Sequence, residues 1–405
     1  MTVKEELTKV GATVLPPATP ELAESALIMQ RLNMLGWTFR LNLCTDSVEV
    51  NGYKMSDIHR AEIRMALRDI GLTKKLAAAE DAYTAFAKQS AYHPIHDYLN
   101  SLKWDGNDHI TRLTDYMCSD DPPITYRDGS VVPLHAVYMY RWLIGAVAKA
   151  LDAHQLPMLV LDGPQDLGKS TLTNWLCSAL PDYFIESAIN VTDKDTDIRL
   201  IDRWIWEVAE LDATTRKADQ SALKSFITKK HVTVRKPFGH HDIVKPALAC
   251  LIGTLNNSTG FLTDDTGNRR FLITRLSRLD FHYMEIDVNQ LWAQAVQLYR
   301  ENEPFKLVGE EKQAQIDTNK EYEVSSLIAD YLESYFVFDP EFGDETYMLG
   351  DIASILREKD IRLHGSERAQ FIELARVLAS KGARKVHTRT GNRWTGFYAR
   401  PVNIS

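Results

Sequence analysis

One octapeptide has the residue types and the spacing that phosphate binding requires. Residues 163–170 read GPQDLGKS and fit the pattern G-x-x-x-x-G-K-[ST] at every fixed position. In such a loop the glycines let backbone N–H groups turn towards phosphate oxygens, the lysine reaches the β- and γ-phosphates, and the hydroxyl ligates Mg²⁺. A buried strand over 156–161 and a helix over 170–180 would place the helix N-terminus against the anion. The predicted nucleotide-binding residues are Gly163, Pro164, Gln165, Asp166, Leu167, Gly168, Lys169, Ser170 and Thr171.

Acidic residues follow a second strand-like run, residues 204–212, which read WIWEVAELD. Glu210 should emerge at the carboxyl edge of a parallel sheet, where ligands bind in such folds. There it could hold Mg²⁺ through water and polarise the attacking water. Glu207 lies within the strand and could equally be a buried structural acid or a surface edge residue. We predict Glu210 as the main acid, ahead of Glu207 and Asp212, and a metal site made of Ser170, Glu210 and Asp212.

Polar residues at the next two strands complete the predicted catalytic set. The strand over 247–254 runs into Asn256, which could orient the attacking water or be an ordinary loop asparagine. Arg269 and Arg270 immediately precede another strand. Arginine suits the charge that develops on a transferring γ-phosphoryl group, although this pair could equally bond neighbouring surface aspartates. The predicted catalytic residues are Lys169, Glu210, Asn256, Arg269 and Arg270.

A locally basic stretch lies between the acid and the asparagine. Residues 229–245 read KKHVTVRKPFGHHDIVK, in which two β-rich arms flank a Pro-Phe-Gly centre. This pattern predicts a hairpin, and its basic residues and aromatic tip suit a nucleic-acid backbone. We predict DNA contacts from Arg235, Lys236, His240 and His241. The histidine pair could also be metal ligands, but no matching Cys or His spacing accompanies it.

Composition and charge exclude several other classes of protein. The 405 residues are 44% hydrophobic and 25% charged, as in globular proteins, and their net charge of −8 argues against general coating of nucleic acid. No apolar run reaches the ~18 residues of a membrane span, and the N-terminus lacks the h-region of a signal peptide. The four cysteines lie far apart, which predicts neither a disulfide framework nor a zinc knuckle. We expect a cytoplasmic protein that has no membrane partner.

Hydrophobic periodicity predicts an α/β fold in several parts. Residues 1–20 are a tail, and residues 21–133 are mostly helical with one hairpin turn at Asn51-Gly52. Over 134–305 short apolar runs alternate with helical ones, which favours a largely parallel sheet. Residues 322–405 show three helical segments and then a strand pair, a pattern typical of a winged helix.

The C-terminal segment is basic, although the whole chain has a net charge of −8. From Lys381 to Ser405 there are six lysines or arginines and no acidic residue. Lys385, Arg389 and Arg393 lie in or beside the predicted strand pair, where a wing would contact phosphates. The alternatives are a solvated basic face and a wing that docks on protein.

Five motifs occur in an order that resembles the virulence-associated E family (VapE, also called VirE). They are GPQDLGKS, WIWEVAELD, KSFITKKHVTVRKPFG, LIGTLNN and DDTGNRRF, and the resemblance covers about residues 90–300. These P-loop proteins of bacteriophages and phage-derived islands look related to superfamily 3 helicases of the AAA+ class. The resemblance implies an ATP- and Mg²⁺-dependent motor in a ring of subunits, with a hexamer expected. It also implies that the basic hairpin grips DNA in a central channel.

The resemblance also implies a role for each matched residue. Lys169 and Ser170 would take the phosphate and magnesium roles, Glu210 the Walker B role and Asn256 the sensor role. Arg269 or Arg270 would be the arginine finger of a neighbouring subunit. The acids are separated here rather than adjacent, so the division of labour among them stays open.

The function implied is an ATP-dependent DNA helicase of phage or mobile-element replication in a bacterial host cell. Its partners would be single-stranded or forked DNA and phage or host replication proteins. One alternative is an origin-binding initiator or helicase loader, which the basic C-terminal region favours. Another is a regulatory ATPase whose activity does not respond to DNA. We expect no primase activity, because residues 21–133 show no catalytic carboxylate cluster; they would form a collar or a docking surface.

Overall fold

The computed structural model describes most of the chain in two compact units. The first unit lies within residues 1–258 and 267–319, and the second lies within 259–266 and 320–405. The described residues are 24–69, 71, 76–190, 193–209, 211, 217–234, 242–256, 262, 267–323, 327–339, 341, 345–359, 361, 367–389 and 391–400.

Helices and strands alternate through the first unit. Its helices are α1 (Glu24–Met34), α2 (Asp57–Asp69), α3 (Leu76–Gln89), α4 (Pro94–Ser101), α5 (His109–Asp115), α6 (Leu134–Asp152), α7 (Lys169–Leu176), α8 (Lys194–Asp202), α9 (Lys217–Ile227), α10 (Val288–Arg300) and α11 (Gly309–Glu321). Its strands are β1 (Phe39–Asn42), β2 (Ser47–Val50), β3 (Tyr53–Lys54), β4 (Met117–Ser119), β5 (Ile124–Thr125), β6 (Val131–Val132), β7 (Met158–Asp162), β8 (Phe184–Glu186), β9 (Ile205–Val208), β10 (His231–Val234), β11 (Ile243–Pro246), β12 (Cys250–Leu255) and β13 (Phe271–Leu279). In the described part of the chain, no helix combines the length and apolarity that crossing a bilayer requires.

A six-stranded sheet in the order β4-β13-β7-β12-β9-β8 forms the centre of this unit. The five strands from β13 to β8 are parallel, and β4 pairs with β13 antiparallel at the edge. Strands β7, β9 and β12 are buried along their whole length, which explains why they read as continuous apolar runs. The predicted parallel sheet is therefore confirmed. Its carboxyl ends meet at one edge, where such sheets bind ligands.

The region before the sheet contains more β structure than the sequence indicated. Strands β1, β2 and β3 form an antiparallel sheet, and its β2–β3 turn is at Asn51-Gly52, as predicted. The prediction of a mostly helical region missed β1. Residues Phe39–Asn42 alternate in type, but Asn42 is buried and Leu41 is only half-buried, so their apolar pattern is weak. Helices α4 and α5 pack in the same core as the central sheet, so the predicted boundary at residue 133 stays a prediction.

A buried ion pair joins α6 to α11. The Arg141 guanidinium donates to both carboxylate oxygens of Glu311 at 2.8 and 3.2 Å, and also to Glu303 at 2.9 Å. Glu311 is 1% exposed, and it also accepts from the Tyr126 hydroxyl at 3.0 Å and from the Val308 backbone N–H at 2.9 Å. Its charge is thus fully compensated within the protein.

The second unit has a core of its own. Its elements are α12 (Leu327–Tyr335), β14 (Phe336–Phe338), α13 (Leu349–Glu358), α14 (Glu367–Ser380), β15 (Arg384–Thr388), β16 (Gly391–Thr395) and β17 (Phe397–Ala399). The three helices and the β15–β16 pair lie where the sequence predicts them. The additional pairing of β14 with β17 brings Phe336 and Phe397 together, with ring centroids 5.5 Å apart. The name winged helix stays a prediction.

We expect Arg141→Met to lower the free energy of unfolding by about 3–5 kcal/mol, because Glu311 would be left buried and unpaired. Urea denaturation measures this change. The control is Arg127→Met, because the Arg127 side chain is 95% exposed in its pair with Glu310. That substitution should cost less than about 1 kcal/mol. Equal effects of the two substitutions would contradict the assignment.

Candidate nucleotide-binding site

The glycine-rich loop connects β7 to α7, as the motif predicts. Lys169 begins the helix and is 6% exposed. Its ammonium donates to the carbonyl oxygens of Gly163 and Pro164, each at 2.7 Å, and to Oδ1 of Asn256 at 3.2 Å. Burial lowers the pKa of Lys169, and nearby carboxylates oppose that shift. The lysine thus lies in the loop among oxygen acceptors, a role that phosphate oxygens can also fill.

Both fixed glycines of the loop lie too close to neighbouring atoms to carry a side chain. A Cβ atom on Gly163 would lie 2.3 Å from the carbonyl oxygen of Leu276 in β13. Gly168 has a φ of +93°, and a Cβ atom there would lie 2.6 Å from the Phe281 ring. A larger residue at either position would displace the loop from the neighbouring strand or ring.

A cavity of about 410 Å³ opens at the carboxyl edge of the sheet, beside this loop. The predicted loop residues Gln165 to Thr171 line it, together with residues that follow or end the strands. These further residues are Glu186, Ala209, Thr254, Asn256 and Phe281. The structure thus brings Lys169, Ser170 and Asn256 together, as the sequence predicts; their catalytic roles stay predictions.

Glu207 is the acid that contacts the loop. It is fully buried in β9, and its Oε1 accepts from the Ser170 hydroxyl at 2.5 Å. Its Oε2 accepts from the hydroxyl of Thr173, one helical turn after Ser170. Burial raises the pKa of Glu207, and the hydrogen bonds from Ser170, Thr173 and Thr254 oppose that shift.

The preference for Glu210 over Glu207 is not tested, because Glu210 and Asp212 lie outside the described residues. Glu207 is buried, as one alternative held, yet its carboxylate lies beside the hydroxyl predicted to hold Mg²⁺. The sequence could not reveal this contact. It shows that Glu207 lies within a strand, but it does not show which face of the sheet α7 covers.

Sequence reasoning missed other residues of the site, among them Glu186, Thr173 and Phe281. Glu186 ends β8 directly opposite Glu207 and lines the cavity. Thr173 lies three residues after Ser170, a helical spacing that could have identified it. Phe281 follows β13 and carries no motif, so only the structure places it beside the loop.

Arg269 and Arg270 lie at the opposite edge of the sheet from the loop. They precede β13, whose first residue pairs with Met158 at the start of β7, whereas Arg275 pairs with Asp162 at its end. The four residues between these two positions span ~13 Å of strand, so the arginines lie at the amino end of the parallel strands and the loop lies at their carboxyl end. Arg269 is exposed, and the Arg270 guanidinium donates to the Gly267 carbonyl oxygen at 3.4 Å. Neither arginine therefore joins the cavity of its own chain.

The two arms of the predicted basic hairpin are confirmed as the antiparallel pair β10–β11. Its predicted DNA contacts, Arg235, Lys236, His240 and His241, lie outside the described residues. Two charges at the base of the hairpin contact protein. Lys229 pairs with Asp197 at 2.7 Å, and Lys245 donates to the Leu43 carbonyl oxygen at 2.7 Å.

The C-terminal basic residues differ in their surroundings. Lys385 on β15 and Arg389 in the turn after it are exposed. Arg393 on β16 is half-buried, and its guanidinium donates to the carbonyl and hydroxyl oxygens of Thr346 at 3.2 and 3.3 Å. Lys385 and Arg389 are thus accessible to a polyanion, whereas Arg393 also contacts its own unit.

The fold and the site define an α/β protein in which a glycine-rich loop follows an inner strand of a parallel sheet. The chain belongs to the virulence-associated protein E-like family, whose domain model matches residues 99–324. The family predicted from the motifs is therefore confirmed. No curated protein matches the chain.

Solved structures of the NrS-1 C-terminal region are similar to the chain. One A-form apo structure is 11% identical, with a TM-score of 0.47, over 92% of this chain and 100% of that one. A second A-form apo structure is 12% identical, with a TM-score of 0.46, over 92% and 99%. A further apo structure is 12% identical, with a TM-score of 0.47, over 93% and 100%.

We expect Glu207→Gln to remove a pH dependence of stability. Because the folded-state pKa of Glu207 is raised, its contribution to stability is full below the unfolded pKa of ~4.3 and is lost as pH rises through the folded pKa. The variant should therefore be more stable than the wild type at pH 8 and equally stable near pH 4. Urea denaturation across this range measures the difference. Exposed Glu301→Gln is the control, and a Glu207→Gln difference independent of pH would contradict the assignment.

Proposed function

We propose that the protein is an ATP-dependent DNA helicase motor that acts in phage or mobile-element replication. The observation that carries the proposal is the cavity at the carboxyl edge of the sheet. Lys169, Ser170 and Asn256 line it; Lys169 donates to Asn256 at the tip of β12, and Ser170 donates to Glu207 of β9. Membership of the virulence-associated protein E-like family supports the proposal.

The residues of the cavity have the chemistry that binding of a triphosphate requires. Lys169 would exchange its carbonyl acceptors for β- and γ-phosphate oxygens, and the first N–H groups of α7 would face the same anion. The Ser170 hydroxyl lines the cavity and is held by the Glu207 carboxylate, and its oxygen fits the preference of Mg²⁺ for oxygen ligands. When bound, Mg²⁺ supplies charge neutralisation to the phosphates.

Activation of the attacking water is assigned to residues near the expected position of the γ-phosphate. Glu207 already accepts from two hydroxyls and is fully buried, so it is poorly placed to take a proton from water. Glu210 is the proposed general base, and Asp212 is a further candidate for holding the metal. Asn256, at the tip of β12, would orient the attacking water.

The position of the arginines favours an assembly in which copies share the site. Arg269 and Arg270 precede β13 at the amino end of the sheet, and ~13 Å of strand separates that end from the carboxyl end, where the loop lies. In a ring of subunits the amino edge of one sheet can face the carboxyl edge of the next, so one of these arginines would serve a neighbour's γ-phosphate. A hexamer is the proposed ring.

Coupling to DNA would use two basic surfaces. Arg235, Lys236, His240 and His241, which lie between β10 and β11 in the sequence, are proposed to grip the single strand. Lys385 and Arg389 in the second unit are exposed and would contact phosphates, with a smaller part for Arg393. The two exposed charges also favour the second candidate function, an origin-binding initiator or helicase loader that hydrolyses ATP without processive unwinding.

The first test is the rate of ATP hydrolysis with and without single-stranded DNA, together with strand separation of a forked duplex. We expect DNA to stimulate hydrolysis and the duplex to separate. Lys169→Ala should lower hydrolysis by about 100-fold or more, since it removes a charge that acts on the transferring phosphoryl group. Exposed Lys103→Ala is the control. Undiminished turnover in Lys169→Ala would contradict the site, and hydrolysis without unwinding would favour the initiator.

A mixing experiment tests the shared site. Lys169→Ala and Arg269→Ala should each be inactive, but each supplies what the other lacks. In a random equal mixture about a quarter of the interfaces would join an intact loop to an intact arginine, so hydrolysis should return to about that fraction. Mixing Lys169→Ala with the doubly substituted chain is the control and should give no recovery. No recovery in the first mixture would show that Arg269 does not act between subunits.

A further inference from the structure

The residues that line the cavity come from both sides of β7 in the sheet. Strand β7, which leads into the loop, lies between β13 on one side and β12 on the other. Ala209 after β9, Asn256 after β12 and Glu186 at the end of β8 line the cavity from the β12 side. Phe281 follows β13 and lines the cavity from the opposite side.

The backbone around Phe281 is held in place, while its ring remains half exposed. The Asp280 N–H donates to the Tyr116 carbonyl oxygen at 2.8 Å, and Phe281 begins a short 3₁₀ turn that ends at Glu285. Tyr283 of this turn is fully buried, whereas Phe281 is 50% exposed. An aromatic ring fixed at the rim of a polar cavity offers a flat apolar face to a ligand.

The ring also lies directly against the phosphate loop. A Cβ atom on Gly168 would meet the Phe281 ring at 2.6 Å, so the ring touches the residue just before Lys169. A triphosphate whose γ-phosphate points towards Asn256 and Glu207 must extend its nucleoside away from them. Phe281 lies on the β13 side of the cavity, against Gly168, and Asn256 lies on the β12 side.

We propose that Phe281 is the platform on which the nucleobase of the substrate stacks, and that it favours a purine. A bicyclic purine covers more of the ring face than a pyrimidine does, and stacking of a base on an aromatic side chain is tolerant of its hydrogen-bonding groups. This inference rests on the proposed function, because it assumes that the loop binds a nucleoside triphosphate.

The test measures binding of Mg²⁺–ATP, Mg²⁺–UTP and Mg²⁺–tripolyphosphate by titration calorimetry. Phe281→Ala should raise the dissociation constant for ATP by about 10-fold and reduce the preference for ATP over UTP. Tripolyphosphate, which has no base, should bind as it does to the wild type. Phe281→Trp should restore ATP binding. The control is Met284→Ala, because Met284 is 43% exposed in the same turn and does not line the cavity.

Two results would overturn the inference alone. Unchanged ATP binding in Phe281→Ala would show that the base does not use the ring. Equal weakening of ATP and tripolyphosphate would show that the ring only supports Gly168. A wild-type protein that binds neither ATP nor tripolyphosphate would overturn the proposed function, and this inference with it.

Discussion

The hydrogen bonds that Ser170 and Thr173 donate to Glu207 are the contact on which the site depends. They join α7, which follows β7, to a strand that lies two places away in the sheet. A buried carboxylate without such partners would cost several kcal/mol, so the helix and the acid hold each other in place. The same contact fixes the Ser170 hydroxyl, which lines the cavity, beside the Glu207 carboxylate.

The direction of the parallel strands governs what one chain can do alone. Their carboxyl ends gather the loop, the acid and Asn256, whereas their amino ends carry Arg269 and Arg270 to the other edge. A single sheet cannot bring both edges to one phosphate. This separation is the reason for proposing that subunits share sites, since Arg269 and Arg270 do not line the cavity of their own chain.

Local charge counts overstate the basic surface of this protein. Lys229 and Lys245 belong to the basic stretch by sequence, but one pairs with an aspartate and the other donates to backbone carbonyl oxygens. Arg393 likewise contacts Thr346. Lys385 and Arg389 are exposed, as are Arg384 and Arg400, whereas Arg393 is half-buried.

Features that depend on neighbouring residues in the chain could be predicted from the sequence. The loop glycines, Lys169, the inner strands and the Asn51-Gly52 turn follow from local spacing, and the structure has them where they are predicted. The contact of Glu207 with Ser170 and the position of Phe281 beside the loop could not be predicted in this way. These contacts join residues that lie far apart in the chain, and strand order and strand direction create them. Periodicity records which face of an element is buried, but it does not record which other element covers that face.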